Sequence, residues 1–134
     1  MDIIGNYKNV LTKKYAQFNG RAGRPEFWLY VLVNFVITMV LYILTIVGVA
    51  TESSALALVA NILLIVYALA TLVPTIAVGV RRLHDTNRSG WWILISLIPI
   101  IGVLVLFVFM CLDSQPGTNR FGVNPKEAAS QTLP

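Results

Sequence analysis

Arg81-Arg82-Leu83-His84-Asp85-Thr86-Asn87-Arg88-Ser89-Gly90-Trp91-Trp92 separates two long apolar runs. Three arginines, a histidine and an aspartate are too costly to place in hydrocarbon, so this stretch marks one face of a membrane. Outward from it, residues 28–50, 55–80 and 91–112 contain no Asp, Glu, Lys, Arg or His. A ~30 Å hydrocarbon core needs about 20 such residues in a helix. The pattern predicts an all-α membrane protein with three transmembrane helices, preceded by a short amphipathic interfacial helix. Composition agrees. Charged residues make up 12% and hydrophobic residues 57% of the chain, against roughly 25% charged in ordinary globular proteins.

Three sections follow from this reading. Residues 1–24 form a cytoplasmic amphipathic leader, 25–112 the three-helix transmembrane domain, and 113–134 a flexible tail rich in Gly, Pro, Asn, Ser and Gln. Within residues 3–18, Ile3, Ile4, Tyr7, Val10, Leu11, Tyr15 and Phe18 fall on an arc of about 140° at helical spacing. Lys14 lies on that apolar arc and would have to snorkel. Asn19-Gly20 ends this segment, and Arg24-Pro25-Glu26 opens the next helix, with Pro suited to the first turn and Glu to the positive end of the dipole. The first apolar run starts too late and runs too long for a cleaved signal peptide.

Lysine and arginine accumulate on the cytoplasmic side of short loops. The leader carries Lys8, Lys13, Lys14, Arg21 and Arg24, the connection at 51–54 carries none, and the next loop carries Arg81, Arg82 and Arg88. The amino terminus is therefore expected in the cytoplasm. Trp28, Trp91 and Trp92 fall at the same interface as anchors. A third full span leaves the tail outside. Pro99 and Gly102 interrupt that run, and a re-entrant segment would return the tail to the cytoplasm. Charge on the tail does not decide between the two.

Arg21, Arg24 and Glu26 before the first span face Arg81, Arg82, His84, Asp85 and Arg88 between the second and third. Glu26 and Asp85 are placed to pair with arginines from the opposite segment. The cluster is either a salt-bridged structural clamp or a basic, Trp-rimmed site for anionic headgroups or a partner protein, for which the planar guanidinium fork is suited. His84 and Asp85 are adjacent on a helix and diverge by about 100°, so they do not form a ready dyad. One histidine and one cysteine, Cys111, argue against a metal site, and a single cysteine excludes an internal disulfide.

Several motifs together look familiar: Phe18-Asn19-Gly20-Arg21-Ala22-Gly23-Arg24-Pro25-Glu26-Phe27-Trp28, then Arg81-Arg82-Leu83-His84-Asp85 with Ser89-Gly90-Trp91-Trp92, then Ile98-Pro99-Ile100-Ile101-Gly102, then Gly117-Thr118-Asn119-Arg120-Phe121-Gly122-Val123-Asn124-Pro125. In order and spacing they resemble the small bacterial inner-membrane proteins of the domain of unknown function 805 family, from about residue 6 to 125. Phe121 stands where that family often has Tyr. The resemblance implies a multi-pass protein of the bacterial inner membrane, and no mechanism.

The functional expectation is a non-enzymatic inner-membrane protein without a cofactor, whose cytoplasmic Arg/Trp surface engages anionic lipid headgroups or a partner. A small oligomeric transporter or channel is the alternative, and a structural subunit of a membrane complex a third. Transport is disfavoured because the runs hold only neutral polar groups such as Asn34, Asn61 and Thr75. Membrane lipids are the expected partners, with a homo-oligomer or membrane-protein partner left open. Nucleic acid is not expected, since membrane orientation accounts for the basic charge.

Overall fold

The computed structural model describes residues 2–131. Its helices are α1 (Ile3–Leu11), α2 (Arg24–Ala50), α3 (Ser54–Asp85), a 3-10 helix (Gly90–Leu97), α4 (Ile101–Cys111) and α5 (Pro125–Gln131). Two of these, α2 and α3, are long and apolar enough to cross a membrane. At 27 and 32 residues they extend about 40 and 48 Å. Their apolar side chains mostly face outward. Phe35, Val40, Ile43, Leu58, Ile65 and Leu69 are all exposed, the reverse of a soluble protein's core helix.

The two long helices form an antiparallel hairpin. At one end Glu52 takes a positive φ in the turn, and Ser53 caps α3 by accepting from the Leu56 N–H at 3.3 Å. The backbones approach closely there. A Cβ added at Gly48 would lie 2.4 Å from the Ala57 nitrogen, the small-residue contact by which membrane helices pack. The opposite end, with Arg24 and Asp85, holds the basic residues and is called the basic end below.

Helix α1 is shorter than the 3–18 segment the periodicity predicts, and turns follow it to residue 16. Asp2 caps it, accepting from the Ile4 and Gly5 N–H groups. Its apolar side packs on the protein. Val10 is fully buried in a cluster with Ala22, Tyr30 and Val78, and Tyr7 stacks on Tyr30 at 5.6 Å. Polar links reinforce this contact: Asn6 Nδ2 donates to the Glu26 carbonyl at 2.9 Å, and the Tyr7 and Tyr67 hydroxyls meet at 2.5 Å. Tyr67 in turn donates to Asn34 Oδ1 at 2.7 Å.

The third apolar run departs from the expected spanning helix. It breaks at Ile98–Ile100 into two short limbs, the 3-10 helix and α4. Eight residues at ~2.0 Å and eleven at ~1.5 Å each give about 16 Å, half of what a hydrocarbon core requires. Hydropathy counts apolar length and is blind to direction. The turn is set by Pro99, which cannot donate, by Ile100 at φ 65°, ψ −67°, and by an Ile101 N–H to Pro99 carbonyl bond of 2.7 Å. That is a three-residue γ-turn, rare and strained for a β-branched residue. Gly102 lets the limbs touch, since a Cβ there would sit 1.7 Å from the Ile95 carbonyl oxygen. Both ends of the run therefore lie at the basic end of the α2–α3 pair.

The tail also differs from the expected flexible segment over its described part. Asn119 and Gly122 form an isolated antiparallel bridge, and residues 114–124 are held by the hydrogen bonds described next. Residues 132–134 lie outside the described residues.

Candidate functional site

Helix α3 runs past its apolar stretch through Arg81 to Asp85, and Asn87 at φ 60° turns the chain away. The last turn of any helix leaves carbonyls without intrahelical partners. Here they recruit the rest of the chain. The Asp85 carbonyl accepts from the Gln115 N–H at 2.8 Å, and the His84 carbonyl from Asn119 Nδ2 at 2.9 Å. The tail is ordered by this unmet demand, which leaves no mark in hydropathy or composition.

Arg21 reaches into the same place from the loop before α2. Its Nε donates to Asp85 Oδ1 at 2.9 Å. Nη1 bonds the Gly117 and Gly122 carbonyls at 2.8 and 3.3 Å. Nη2 bonds those of Asp85 and Gln115 at 3.1 and 2.7 Å. A guanidinium has five N–H donors, and these contacts employ all of them. Arg82 completes the knot. Its Nε donates to the Met110 carbonyl at 3.1 Å, Nη1 to Asp85 Oδ2 at 2.9 Å, and Nη2 to the Leu112 carbonyl. The Ser114 hydroxyl donates to Asp85 Oδ2 at 2.5 Å. Asp85 and the side chains of Arg21 and Arg82 are at most 1% exposed.

A second buried pair stands beside it. Arg81 Nη1 pairs with Glu26 Oε2, and Arg81 Nε donates to the Gln17 carbonyl at 3.0 Å. Lys14, the misplaced cation of the leader, meets the other Glu26 oxygen at 2.9 Å. Arg81 Nη2 is buried without a partner among the described residues.

The sequence-predicted residues thus come together, and of the two arrangements expected for them the buried ion pairs correspond to the clamp. Arg21, Arg81, Arg82, Glu26 and Asp85 form a closed clamp, in which Glu26 and Asp85 each take an arginine from the opposite segment. Within α3 it is Arg82, at i, i+3 spacing, that pairs with Asp85. Arg24 stays at the surface, 3.2 Å from Asp113, whose carboxyl is held below its ordinary range by the Lys126 ammonium and the Ser114 N–H. Arg88 lies 4.2 Å over the Phe109 ring. His84 and Asp85 diverge: His84 Nδ1 donates to the Gly20 carbonyl at 2.9 Å. Trp28 Nε1 donates to the Met110 carbonyl at 3.0 Å. Trp92 meets Phe109 edge-on, and Trp91 is 79% exposed.

Ser114 and Gln115 belong to this site and were not singled out from the sequence; Asn119 and Gly122 stand in the motif at 117–125 but carried no role there. Gln115 and Gly122 act through backbone groups, for which residue type gives little signal. Gly117 and Gly122 take positive φ, the one hint that the tail holds a defined turn. Among the described residues, no group of three His, Cys, Asp or Glu is placed to hold a metal ion.

A family profile described as "Protein of unknown function (DUF805)" matches residues 15–123. The chain is similar to inner membrane protein YhaH of Escherichia coli (strain K12), with 45% identity over 121 residues, 90% of this chain and 95% of the relative. It is similar to inner membrane protein YhaI of the same organism, with 41% identity over 120 residues, 90% and 94% of the two chains. Uncharacterized protein YiiR, also of that strain, is 34% identical over 84 residues, 60% of this chain and 49% of the relative. No solved structure matches significantly.

Proposed function

The chain belongs to the DUF805 family of proteins of unknown function, and from that premise we propose a non-catalytic protein of the bacterial inner membrane that occupies the cytoplasmic leaflet more fully than the outer one. In this reading α2 and α3 cross the bilayer. The hairpin of residues 90–111 enters the cytoplasmic half only, and α1 lies beside the pair at that interface. The amino terminus and the tail are both cytoplasmic. One observation carries the reading: the chain on either side of the third apolar run is hydrogen-bonded to the same carboxylate and carbonyl of Asp85 or to the arginines around it. The names of the two inner-membrane relatives and the outward-facing apolar side chains support it.

The clamp itself is spoken for. Headgroup attraction falls instead to the exposed cations of the same end, Lys8 and Lys13 on the leader with Arg24, Arg120 and Lys126. A lysine close to an anionic bilayer surface contributes about 1 kcal/mol. In nanodiscs of anionic lipid, amides of α1 are expected to exchange about tenfold or more slowly than in zwitterionic nanodiscs. Lys8→Gln with Lys13→Gln is expected to remove the difference, and high salt to reduce it. Exchange of α1 that ignores both lipid charge and the double substitution contradicts headgroup engagement by the leader.

A further inference from the structure

Resting on the membrane placement proposed above, we propose that a cavity between the leader, α3 and the hairpin binds one phosphatidylglycerol molecule of the cytoplasmic leaflet. The cavity measures about 480 Å³, within the usual range for a small-molecule site. Phe18, Ile76, Val80, Trp91, Ile93 and Leu94 supply an apolar wall, suited to an acyl chain and facing the phase that holds such chains.

Two polar groups stand at its edge, His84 and Ser89. A carbonyl only accepts, so the Gly20 contact fixes the proton on His84 Nδ1. Neutral imidazole then presents a bare lone pair on Nε2, which has no partner among the described residues. The Ser89 oxygen accepts from the Trp91 N–H at 3.3 Å, and its own proton remains available. The edge therefore offers an acceptor and a donor, which matches a hydroxyl.

A cation stands beyond His84, across the Phe121 ring and outside the cavity lining. Phe121 stacks on His84 with ring centroids 3.8 Å apart, and the Arg120 guanidinium lies 4.6 Å from the Phe121 ring. Asn87 positions Arg120 through its Oδ1 and carbonyl. Arg120 Nη1 makes no bond with the described residues and suits a phosphodiester oxygen. Chain, hydroxyl and phosphate requirements together describe phosphatidylglycerol. The ammonium of phosphatidylethanolamine has no lone pair to accept the Ser89 proton, and phosphatidylcholine has neither such a lone pair nor a donor for His84.

The test is native mass spectrometry of the detergent-solubilised full chain, exchanged against an equimolar mixture of the three phospholipids with identical acyl chains. One phosphatidylglycerol is expected to remain bound, preferred about tenfold over phosphatidylcholine, the ratio that one good hydrogen bond to a charged or polar headgroup supports. Ile76→Trp or Leu94→Trp fills the cavity and is expected to abolish retention while the melting temperature stays close to wild type. Arg120→Gln is expected to remove the headgroup preference and leave chain-dependent binding. Equal retention of all three lipids, a preference for phosphatidylethanolamine, or retention unchanged in both tryptophan variants overturns the proposal. The membrane placement has its own independent readout, side-specific labelling of the tail, so either can fail alone.

Discussion

Asp85→Ala is expected to be the most damaging single substitution in the chain, costing about 3–5 kcal/mol. The reason is the state it leaves behind. Arg21 and Arg82 are both buried and both donate to this carboxylate. Guanidinium stays protonated in proteins, so the charge cannot be relieved by losing a proton. Two cations would remain in a dehydrated site with their closest counter-ion gone. Ser114 would lose its acceptor as well. Asp85→Asn keeps the volume and one acceptor oxygen and is expected to fall between wild type and Ala. Asp113→Ala is the control, because its ion pairs are exposed and such pairs contribute little. Denaturant titration in mild detergent, with limited proteolysis of the tail, measures the series. An Asp85→Ala protein as stable as the Asp113→Ala protein, with a tail equally protected, would refute the clamp.

The second large effect concerns the hairpin. Gly102→Ala is expected to force the limbs apart, because the added Cβ meets a backbone oxygen at 1.7 Å, and a carbonyl cannot rotate away as a flexible side chain can. The change is small in volume and apolar, so a continuous spanning helix would accept it, and even gain from the higher helix propensity of Ala. In the hairpin it is expected to cost a few kcal/mol, as backbone incompatibility does. Ile100→Gly supplies the opposite sign. Ile100 holds φ 65° and is 75% exposed, so glycine relieves about 1 kcal/mol or more of backbone strain with little packing lost within the protein. The pair is read by thermal unfolding in detergent. A stabilising Gly102→Ala together with a destabilising Ile100→Gly would mean that residues 91–112 form one helix.

Much of this architecture is legible in the residues. Apolar length and the absence of charge give α2 and α3. Pro25 and Glu26 place the start of α2. Opposite charge then suggests that Glu26 and Asp85 each pair with an arginine from the opposite segment. Two things stay hidden. Residues 91–112 pass every test of apolar length for a span; Pro99 and Gly102 leave a re-entrant segment open, but nothing in the hydropathy encodes the reversal at Ile100. The tail reads as loop because much of its anchoring is through backbone carbonyls of Gln115, Gly117 and Gly122, which every residue type possesses. The two errors are linked. A spanning third helix carries the tail away from Arg21, so the clamp and the open basic surface stay side by side as alternatives; once the hairpin turns back, the same arginines find acceptors in and just before the tail and close.

The position of the tail is therefore the most direct test. In a Cys111→Ser background, cysteines placed singly at Thr118 and at Ser53 are treated with a membrane-impermeant thiol reagent in cells whose outer membrane alone has been opened. Position 53, in the turn between α2 and α3, is expected to label at once. Position 118 is expected to stay unlabelled until the inner membrane is permeabilised. Prompt labelling of position 118 alongside position 53 would put the tail across the bilayer from Arg21 and contradict the account.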